Sequence, residues 1–489
     1  MLLRSTRSEA PPLGSDRALL AGLAPDGGLY VPLSFPAPDA RLFGPEPLSY
    51  ADIAYATIAP WFDDLPAEEL RTAVVRAASS FDDPRVVPLV MAGDLPVLEL
   101  FHGPTLAFKD LALTLFGDLL ALAREKAGLQ EELLVIVATS GDTGSAALSG
   151  LEGREGIKVV AIYPARGVSE VQRRQMTTRS AANCLVLGLE GNFDDAQRAA
   201  KRLLSEVGSR KAFLERGVSP CSANSINVGR LAPQLAYYVH AQRELASRGL
   251  LDAEGRFDVA VPSGNFGNVL AARYAKQIGA GIGGFLVATN RNRVLADFLE
   301  AGVYDRNRPF HVTTSPSMDI LVSSNLERMI FEATGRDSGR TASLMADLAK
   351  GGRYELAAEE KAAFADFRAA SADDKECAEE IKQVFESTGY LLDPHTATAS
   401  AALRKTGSLR PTLLVATASP FKFAATVSAA LGLKPRADEF ETVEALAERA
   451  GLAPPAQLRG LREADERHTR VVAPERIEAE IYAWLSRSL

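Results

Sequence analysis

The stretch that decides the fold is LLVIVATSGDTGSAALSG, residues 133–150. It opens with the continuous apolar run LLVIVA, passes through a polar loop that contains glycine, and ends in small residues that favour a helix. An apolar run without alternation is typical of a parallel strand covered on both faces of its sheet. We therefore expect a strand, a loop and a helix here, as one unit of an α/β protein.

The same pattern recurs along the chain. The apolar runs IKVVAIYP, NCLVLGLEG, FDVAVPSG, GFLVATN and TLLVATA alternate with stretches of helical character, which indicates parallel sheets flanked by helices. The region before these runs mixes turns with amphipathic stretches and predicts a small cap-like domain. The expected organisation is an N-terminal cap at 1–95, a smaller α/β lobe at 96–255, a larger lobe at 256–435 with a helical excursion at about 334–390, and a helical tail at 436–489.

Composition restricts the class of protein. The chain has 489 residues, 47% hydrophobic and 24% charged, which describes a soluble globular protein of two or three domains. A net charge of -8 argues against nucleic-acid partners. The N-terminus lacks the apolar core of a signal peptide, and no segment is long and uncharged enough to span a bilayer. The three cysteines, Cys184, Cys221 and Cys377, are widely spaced, so we expect neither a disulfide framework nor a metal site, and a cytoplasmic location.

Three strand ends carry candidate ligand sites, because free backbone N–H groups at helix starts bind anions. The first is the loop 139–144, which is also consistent with a plain turn in which Asp142 or Thr143 caps a helix. The second is the glycine-rich loop 263–268, which predicts either a phosphate cradle or a turn; it lacks the Gly-Lys-Ser/Thr of a nucleotide P-loop. The third is LLVATASPFKF, a strand that ends in Thr417 and Ser419 before Pro420, with Lys422 close behind.

One apparent nucleotide motif is rejected. GAGIGG, residues 279–284, matches the G-x-G-x-x-G pattern of dinucleotide-binding folds. That motif must follow a strand and open a helix, whereas here a helical stretch precedes it and a β-rich run follows. We therefore expect no nicotinamide cofactor at this position.

A lysine inside the apolar segment FHGPTLAFKD, residues 101–110, needs an explanation. If a helix starts near Leu106, apolar residues share the face of Lys109 and desolvate its ammonium, which favours the neutral amine. A free lysine titrates near ~10.4, so a nucleophilic lysine needs such help. The alternative is a lysine whose stem packs on the protein while its head reaches solvent.

Five motifs in order, FHGPTLAFKD, TSGDTGSAA, NSINVGR, PSGNFGN and ATASPFKF, resemble the threonine synthase family. The N-terminal stretch ALLAGLAPDGGLYVP is similar to the start of its longer members, so the resemblance covers most of the chain. It implies a fold-type II enzyme dependent on pyridoxal 5'-phosphate, similar to the tryptophan synthase β subunit, with two open parallel-sheet lobes and an N-terminal cap domain.

The resemblance also implies roles for individual residues of the cofactor site. Lys109 is expected to form the covalent bond to the cofactor and to act as the catalytic base. Thr417 is expected at the pyridine nitrogen, where a neutral hydroxyl tempers electron withdrawal by the ring. Asp142 is expected beside the ring hydroxyl. The cofactor phosphate is assigned to the backbone of Ser263, Gly264, Asn265, Phe266 and Gly267.

By the same resemblance the substrate is O-phosphohomoserine, converted with water to L-threonine and phosphate, the last step of threonine biosynthesis. The loop residues Ser140 and Gly141, with Asp142 and Thr143, are expected to bind the substrate carboxylate. The substrate phosphate is assigned to Thr143, Asn224, Ser225 and Arg230, because a guanidinium can donate two parallel hydrogen bonds to a phosphate. The oligomer is expected to be a monomer or a homodimer.

Two alternatives and two departures accompany this interpretation. The alternatives are a phospho-lyase or dehydratase acting on phosphothreonine or on serine- and threonine-type substrates, and a catalytically inactive binding paralogue. The family usually has a histidine where this chain has Ser419, which puts a proton-transfer or phosphate role at that position in doubt. The glycine-rich loop, which often ends in aspartate, here ends in Asn268.

Overall fold

Sixteen strands form four sheets in the computed structural model, which describes residues 1–37 and 39–487. The strands are β1 Leu2–Ser5, β2 Leu13–Gly14, β3 Tyr30–Pro32, β4 Leu89–Ala92, β5 Leu95–Glu99, β6 Glu132–Ala138, β7 Ile157–Pro164, β8 Cys184–Leu189, β9 Val218–Ser222, β10 Phe257–Pro262, β11 Ile282–Thr289, β12 Val303–Asp305, β13 Arg353–Glu355, β14 Phe367–Ser371, β15 Thr412–Ala416 and β16 Val471–Val472.

Helices cover both faces of the two larger sheets. They are α1 Ser15–Ala21, α2 Tyr50–Ile58, α3 Ala67–Ala78, α4 Asp110–Lys126, α5 Asp142–Leu151, α6 Glu170–Thr177, α7 Phe193–Ser205, α8 Val207–Leu214, α9 Val228–Leu231, α10 Leu235–Ser247, α11 Gly267–Gln277, α12 Val294–Ala301, α13 Leu326–Ala333, α14 Ser338–Gly351, α15 Ala358–Ala362, α16 Asp374–Thr388, α17 Pro394–Thr406, α18 Ala424–Ala430, α19 Glu439–Ala450 and α20 Ile477–Leu485.

The smaller of the two main sheets is entirely parallel. Its strand order is β16-β8-β7-β6-β9. The central strands β6 and β7 are buried along nearly their whole length, which confirms that continuous apolar runs mark strands covered on both faces. The chain therefore leaves β6 at a buried strand end, where the loop to α5 begins.

The larger sheet has the order β14-β11-β10-β15-β5-β4 and is parallel except for its edge strand β4. The parallel neighbours β10 and β15 end at Pro262 and Ala416, so the loops that follow them lie at the same edge of the sheet. The segment that leads to Lys109 leaves β5 at this edge too. The N-terminal region forms its own small antiparallel sheet, β2-β1-β3.

Two predictions of secondary structure are wrong in part. The segment 334–390 is not helical throughout, because β14 lies within it and forms the edge strand of the larger sheet beside β11. The tail 436–489 is not only helical, because β16 extends the smaller sheet beside β8. Both strands are short and only partly buried, so they lack the continuous apolar run that revealed the central strands. The domain limits themselves stay a prediction.

A close helix crossing gives a test of the packing. Gly150 in α5 lies against α4, and a Cβ at this position would stand 2.0 Å from the carbonyl oxygen of Leu113. We expect Gly150→Ala to force the two helices apart and to lower the free energy of unfolding by about 3 kcal/mol. In α14, Gly351→Ala is the matched control, since no atom within 4 Å meets its added methyl group. Chemical denaturation measures the free energy of unfolding of both variants. Equal values for the two would contradict the close contact between α4 and α5 at Gly150.

No helix in the described ranges is long and apolar enough to cross a membrane.

Candidate active site

The ε-amino group of Lys109 lies in a buried polar cluster. Its Nζ is 3.0 Å from Oδ2 of Asp142 and 3.4 Å from the hydroxyl of Ser317, and the Lys109 side chain is 11% exposed. Burial lowers the pKa of Lys109, while the nearby Asp142 carboxylate opposes that shift. The expected tendency toward the neutral amine is therefore confirmed, and a snorkelling lysine is excluded by the buried ion pair.

The helix that follows Lys109 begins later than predicted. The first residue of α4 is Asp110, and Leu106 stands in a turn with φ +63°. The turn forms because the Asp110 carboxylate accepts hydrogen bonds from the backbone N–H and the hydroxyl of Thr105, at 2.8 and 2.6 Å. Lys109 thus sits at the helix start, and its desolvation comes from the surrounding lobes and not from a helical face.

Asp142 is the most heavily contacted carboxylate of the cluster. Its Oδ2 accepts from Lys109 and from the Ser317 hydroxyl at 2.8 Å, and its Oδ1 accepts from Nε2 of Gln172 at 2.8 Å and pairs with Lys422 at 3.0 Å. Although burial opposes ionisation, the charges of Lys109 and Lys422 hold the pKa of Asp142 well below its usual range. Asp142 is therefore a carboxylate at neutral pH.

The loop between β6 and α5 has the geometry of an anion site. Gly141, with φ 127°, occupies the cap position, so the expectation that Asp142 or Thr143 caps the helix is wrong. Thr139 Oγ1 accepts the N–H groups of Gly141 and Gly144 at 2.9 and 2.8 Å. Across the described residues, the N–H groups of Ser140, Asp142 and Thr143 have no acceptor, which leaves them available to a carboxylate.

The glycine-rich loop after β10 presents a second set of free amides. Phe266 adopts a left-handed conformation with φ 60° and directs the chain into α11. No N–H group from 264 to 269 has an acceptor in the part of the chain that the structure describes. Gly264 allows close packing, since a Cβ there would lie 2.9 Å from the carbonyl oxygen of Ser317. The glycine-rich loop therefore lies directly beside Ser317, whose hydroxyl contacts Lys109. A phosphate bound by its amides would be close to the lysine.

Arg230 is the buried cation expected in the phosphate site of the substrate. Its side chain is 3% exposed, Nη1 donates to the carbonyl of Ala223 at 2.6 Å, and Nε has no partner among the described residues. Burial lowers the pKa of Arg230 to about 10, and Asp110 opposes the shift, so the side chain is a cation at neutral pH. The side chains of Asn224 and Ser225, in the loop before it, are partly exposed.

Arg328 connects the loop before α9, the glycine-rich loop after β10 and the N-terminal region. This fully buried side chain donates to the carbonyl of Tyr30 at 2.9 Å and to the carbonyl of Ile226 at 2.6 Å, and it also donates to the side chain of Asn325. Asn325 in turn donates through its backbone and side chain to the carbonyl of Asn265, both at 3.1 Å. One guanidinium thus holds these three segments together.

Thr417 lies where the last parallel strand meets the lysine segment. Its carbonyl accepts the N–H of Phe108 at 2.9 Å, and its own N–H donates to the hydroxyl of Thr396 at 3.2 Å. The Thr417 side chain makes no hydrogen bond to another described residue, which leaves its hydroxyl available to a ligand. This placement is consistent with the predicted contact to a pyridine nitrogen.

Ser419, which stands where the family usually has a histidine, has a structural role. The hydroxyl of Ser419 accepts the N–H of Phe421 at 3.4 Å and caps a short 3-10 helix, Pro420–Phe423. A histidine is nevertheless present in the cluster, from another element. Nδ1 of His395 lies 2.8 Å from Asp393, and its Nε2 accepts the N–H of Ser317 at 3.4 Å.

Sequence reasoning missed four residues of this cluster as site residues: Gln172, Ser317, His395 and Lys422. His395 and Lys422 had local signals, since Asp-Pro at 393–394 is a typical start of a helix and Lys422 closely follows the strand end at Thr417. Gln172 and Ser317 come from elements distant in sequence, and only the fold brings them to Asp142.

Comparison with known proteins now decides the family. A family model for pyridoxal-phosphate dependent enzymes matches residues 95–418, and a model for the threonine synthase N terminus matches residues 3–78. Threonine synthase from Pseudomonas aeruginosa is 38% identical over 90% of this chain and 94% of its own length. This chain belongs to the threonine synthase family.

Solved structures of threonine synthases agree with this assignment. The pyridoxal-phosphate-bound threonine synthase from Brucella melitensis superimposes with a TM-score of 0.88 and 36% identity, over 99% of each chain. Yeast threonine synthase gives a TM-score of 0.88 and 32% identity, again over 99% of each chain. The predicted fold class, that of a fold-type II enzyme with an N-terminal domain, is thus confirmed.

Proposed function

We propose that this threonine synthase family member converts O-phospho-L-homoserine and water to L-threonine and inorganic phosphate, with pyridoxal 5'-phosphate bound to Lys109. The observation that carries the proposal is the Lys109–Asp142 pair, placed between two sets of free amides and the buried cation Arg230. A substrate with a carboxylate and a phosphate, together with a phosphorylated cofactor, needs three anion sites. The two sets of free amides and the Arg230 guanidinium provide these three sites.

The residues fit the cofactor. The free amides at 264–269 suit its phosphate, and the unengaged hydroxyl of Thr417 suits its pyridine nitrogen. When bound, pyridoxal phosphate acts as an electron sink that stabilises negative charge on the carbons of an amino-acid substrate. The backbone N–H groups of Gly264, Asn265, Phe266 and Gly267 bind this phosphate, whereas the N–H of Ser263, predicted with them, is taken by the carbonyl of Ala288 at 2.9 Å because it continues the sheet.

Lys109 is the group that holds and moves protons. Because burial favours its neutral form, its amine can accept the α proton of the substrate, and once it has returned that proton it can accept a β proton. Asp142 lies 3.0 Å away and stabilises the ammonium that results. The nearby hydroxyl of Ser317 keeps that carboxylate oriented.

The remaining loops bind the substrate at its two charged ends. Ser140, Asp142 and Thr143 present the free amides of the loop after β6 to its carboxylate, whereas the N–H of Gly141, also predicted there, donates to the hydroxyl of Thr139. Arg230, with Asn224 and Ser225, binds its phosphate through charge-assisted hydrogen bonds.

A visible spectrum of the purified protein, recorded before and after addition of O-phosphohomoserine, tests cofactor and substrate together. We expect cofactor absorbance, a spectral change with the substrate, and equal amounts of phosphate and threonine. Formation of 2-oxobutyrate from phosphothreonine or threonine, or of pyruvate from serine-type substrates, would instead indicate a dehydratase or phospho-lyase. A protein without cofactor absorbance, whose spectrum is unaffected by Lys109→Ala, would be an inactive binding paralogue.

We also propose a cytoplasmic location and a monomer or homodimer. The location is supported by three buried, unpaired thiols, Cys184, Cys221 and Cys377, whose pKa values burial raises to about 12. Such thiols are inert and need no oxidising compartment. Cell fractionation and sedimentation of the holoenzyme test these two points.

A further inference from the structure

The Asp142 carboxylate is shared between two lysines. One oxygen faces Lys109 and the other faces Lys422, each at 3.0 Å. Lys422 has no exposed surface, and Asp142 is 3% exposed, so neither ion pair is a surface contact. Burying a charged lysine costs free energy unless an opposite charge is paired with it. The presence of Lys422 beside Lys109 therefore needs a functional explanation.

The fold holds Lys422 firmly in this place. It lies on the 3-10 helix capped by Ser419, which closely follows the end of β15 at Ala416. Its Nζ also donates to the carbonyl of Thr105 at 2.7 Å, in the turn that precedes Lys109. Lys422 therefore links the end of the last parallel strand, the lysine turn and Asp142 through one ammonium group.

Sharing the carboxylate changes the balance of charge at Lys109. The charged groups around Lys109 are Asp142 on α5, Lys422 on the 3-10 helix and Arg230 on α9, while Ser317 faces it as a neutral hydroxyl. His395, with Asp393, stands behind Ser317. The Asp110 carboxylate, on α4, acts on Lys422 and on Arg230. The charges of Lys422 and Arg230 oppose a proton on Lys109, and the Asp142 carboxylate favours it.

We propose that Lys422 is a positioning residue that engages one oxygen of Asp142 and so lets Lys109 stand as a neutral amine while keeping the carboxylate aimed at it. The burial that lowers the pKa of Lys109 acts in the same direction, and Lys422 and Arg230 add to it. The inference rests on the proposed function only in taking Lys109 as the amine that reacts with the cofactor.

The test measures cofactor uptake by the cofactor-free protein, which needs the neutral amine of Lys109 and no substrate. Uptake of pyridoxal phosphate is followed by absorbance across a pH series for wild type, Lys422→Met and Lys422→Arg. We expect the pH midpoint of uptake to rise by about one unit in Lys422→Met, which is roughly a tenfold slower uptake below the midpoint. Lys422→Arg keeps the cation and should restore the midpoint. Lys405→Met, on the surface of α17, is the matched control and should match wild type.

An unchanged midpoint in a folded Lys422→Met protein would overturn the proposal. If that variant does not fold, NMR of ¹³C-labelled wild-type protein reports the protonation state of Lys422 through its ¹³Cε resonance. The resonance is assigned by its absence in Lys422→Arg. The proposal requires Lys422 to be protonated at the pH where uptake proceeds, and a neutral Lys422 there would contradict it. Failure of the proposed function would appear separately, as normal cofactor uptake without turnover of O-phosphohomoserine.

Discussion

Lys109→Ala is expected to lower kcat/KM for O-phosphohomoserine by about 10⁴-fold, because it removes both the attachment point of the cofactor and the group that moves protons. The methyl group that replaces the amine cannot bond to the cofactor, so the visible absorbance should fall to that of free pyridoxal phosphate after gel filtration. Steady-state phosphate release and the absorbance spectrum of the same preparation measure the two effects.

Lys375→Ala is the control for this experiment, since that lysine lies on the surface of α16 and is 84% exposed. It should keep the absorbance and the rate of wild type. Retention of bound cofactor and of near-normal turnover in Lys109→Ala would contradict the assignment of Lys109.

Arg230→Met is expected to lower kcat/KM by roughly 10²- to 10³-fold, because charge-assisted hydrogen bonds to a phosphate are lost from a water-poor site. Most of the loss should appear in KM, and inhibition by inorganic phosphate should weaken in parallel. Uptake of the cofactor should change little, since the free amides at 264–269 hold its phosphate independently of Arg230. Initial rates over a substrate series, with and without added phosphate, measure these effects.

Two further variants make the Arg230 prediction specific. Arg230→Lys keeps a cation but loses the planar fork, so it should fall between wild type and Arg230→Met. Arg248→Met removes a surface arginine of the same charge and should leave the kinetics unchanged. A normal KM in folded Arg230→Met would place the substrate phosphate elsewhere.

The parts of the molecule that sequence predicted well are those encoded in one continuous stretch. The run LLVIVA became the buried strand β6, and the glycine-rich loop after β10 became a row of free amides, because both depend on neighbouring residues alone. The direction of the pKa shift of Lys109 was also predicted, although its cause is burial by surrounding elements and not the apolar helical face that the sequence suggested.

The start of α4 was predicted too early because a bond across the turn decides it. The Asp110 carboxylate closes the turn onto Thr105, and the chain becomes helical only after Lys109. A pattern of apolar residues cannot reveal such a bond. The edge strand β14 was missed for a related reason, since its partner β11 lies about eighty residues earlier.

The surroundings of Asp142 could not be predicted from the sequence. Ser317 and Lys422 reach the carboxylate from segments far away along the chain. Their arrival depends on how the two sheets face each other, which no local pattern describes. The sequence therefore predicted the two loops with free amides and singled out Lys109. The three-dimensional structure was needed to identify Lys422 and Ser317 as neighbours of Asp142.

The most direct test of the account asks which lysine carries the cofactor, since Lys109 and Lys422 contact the same carboxylate. The holoenzyme is treated with borohydride, which reduces the bond between the cofactor and the lysine to a stable amine, and is then digested and mapped by mass spectrometry. We predict the pyridoxyl mass on Lys109 alone. A pyridoxyl group on Lys422, on another lysine or on none would contradict the account.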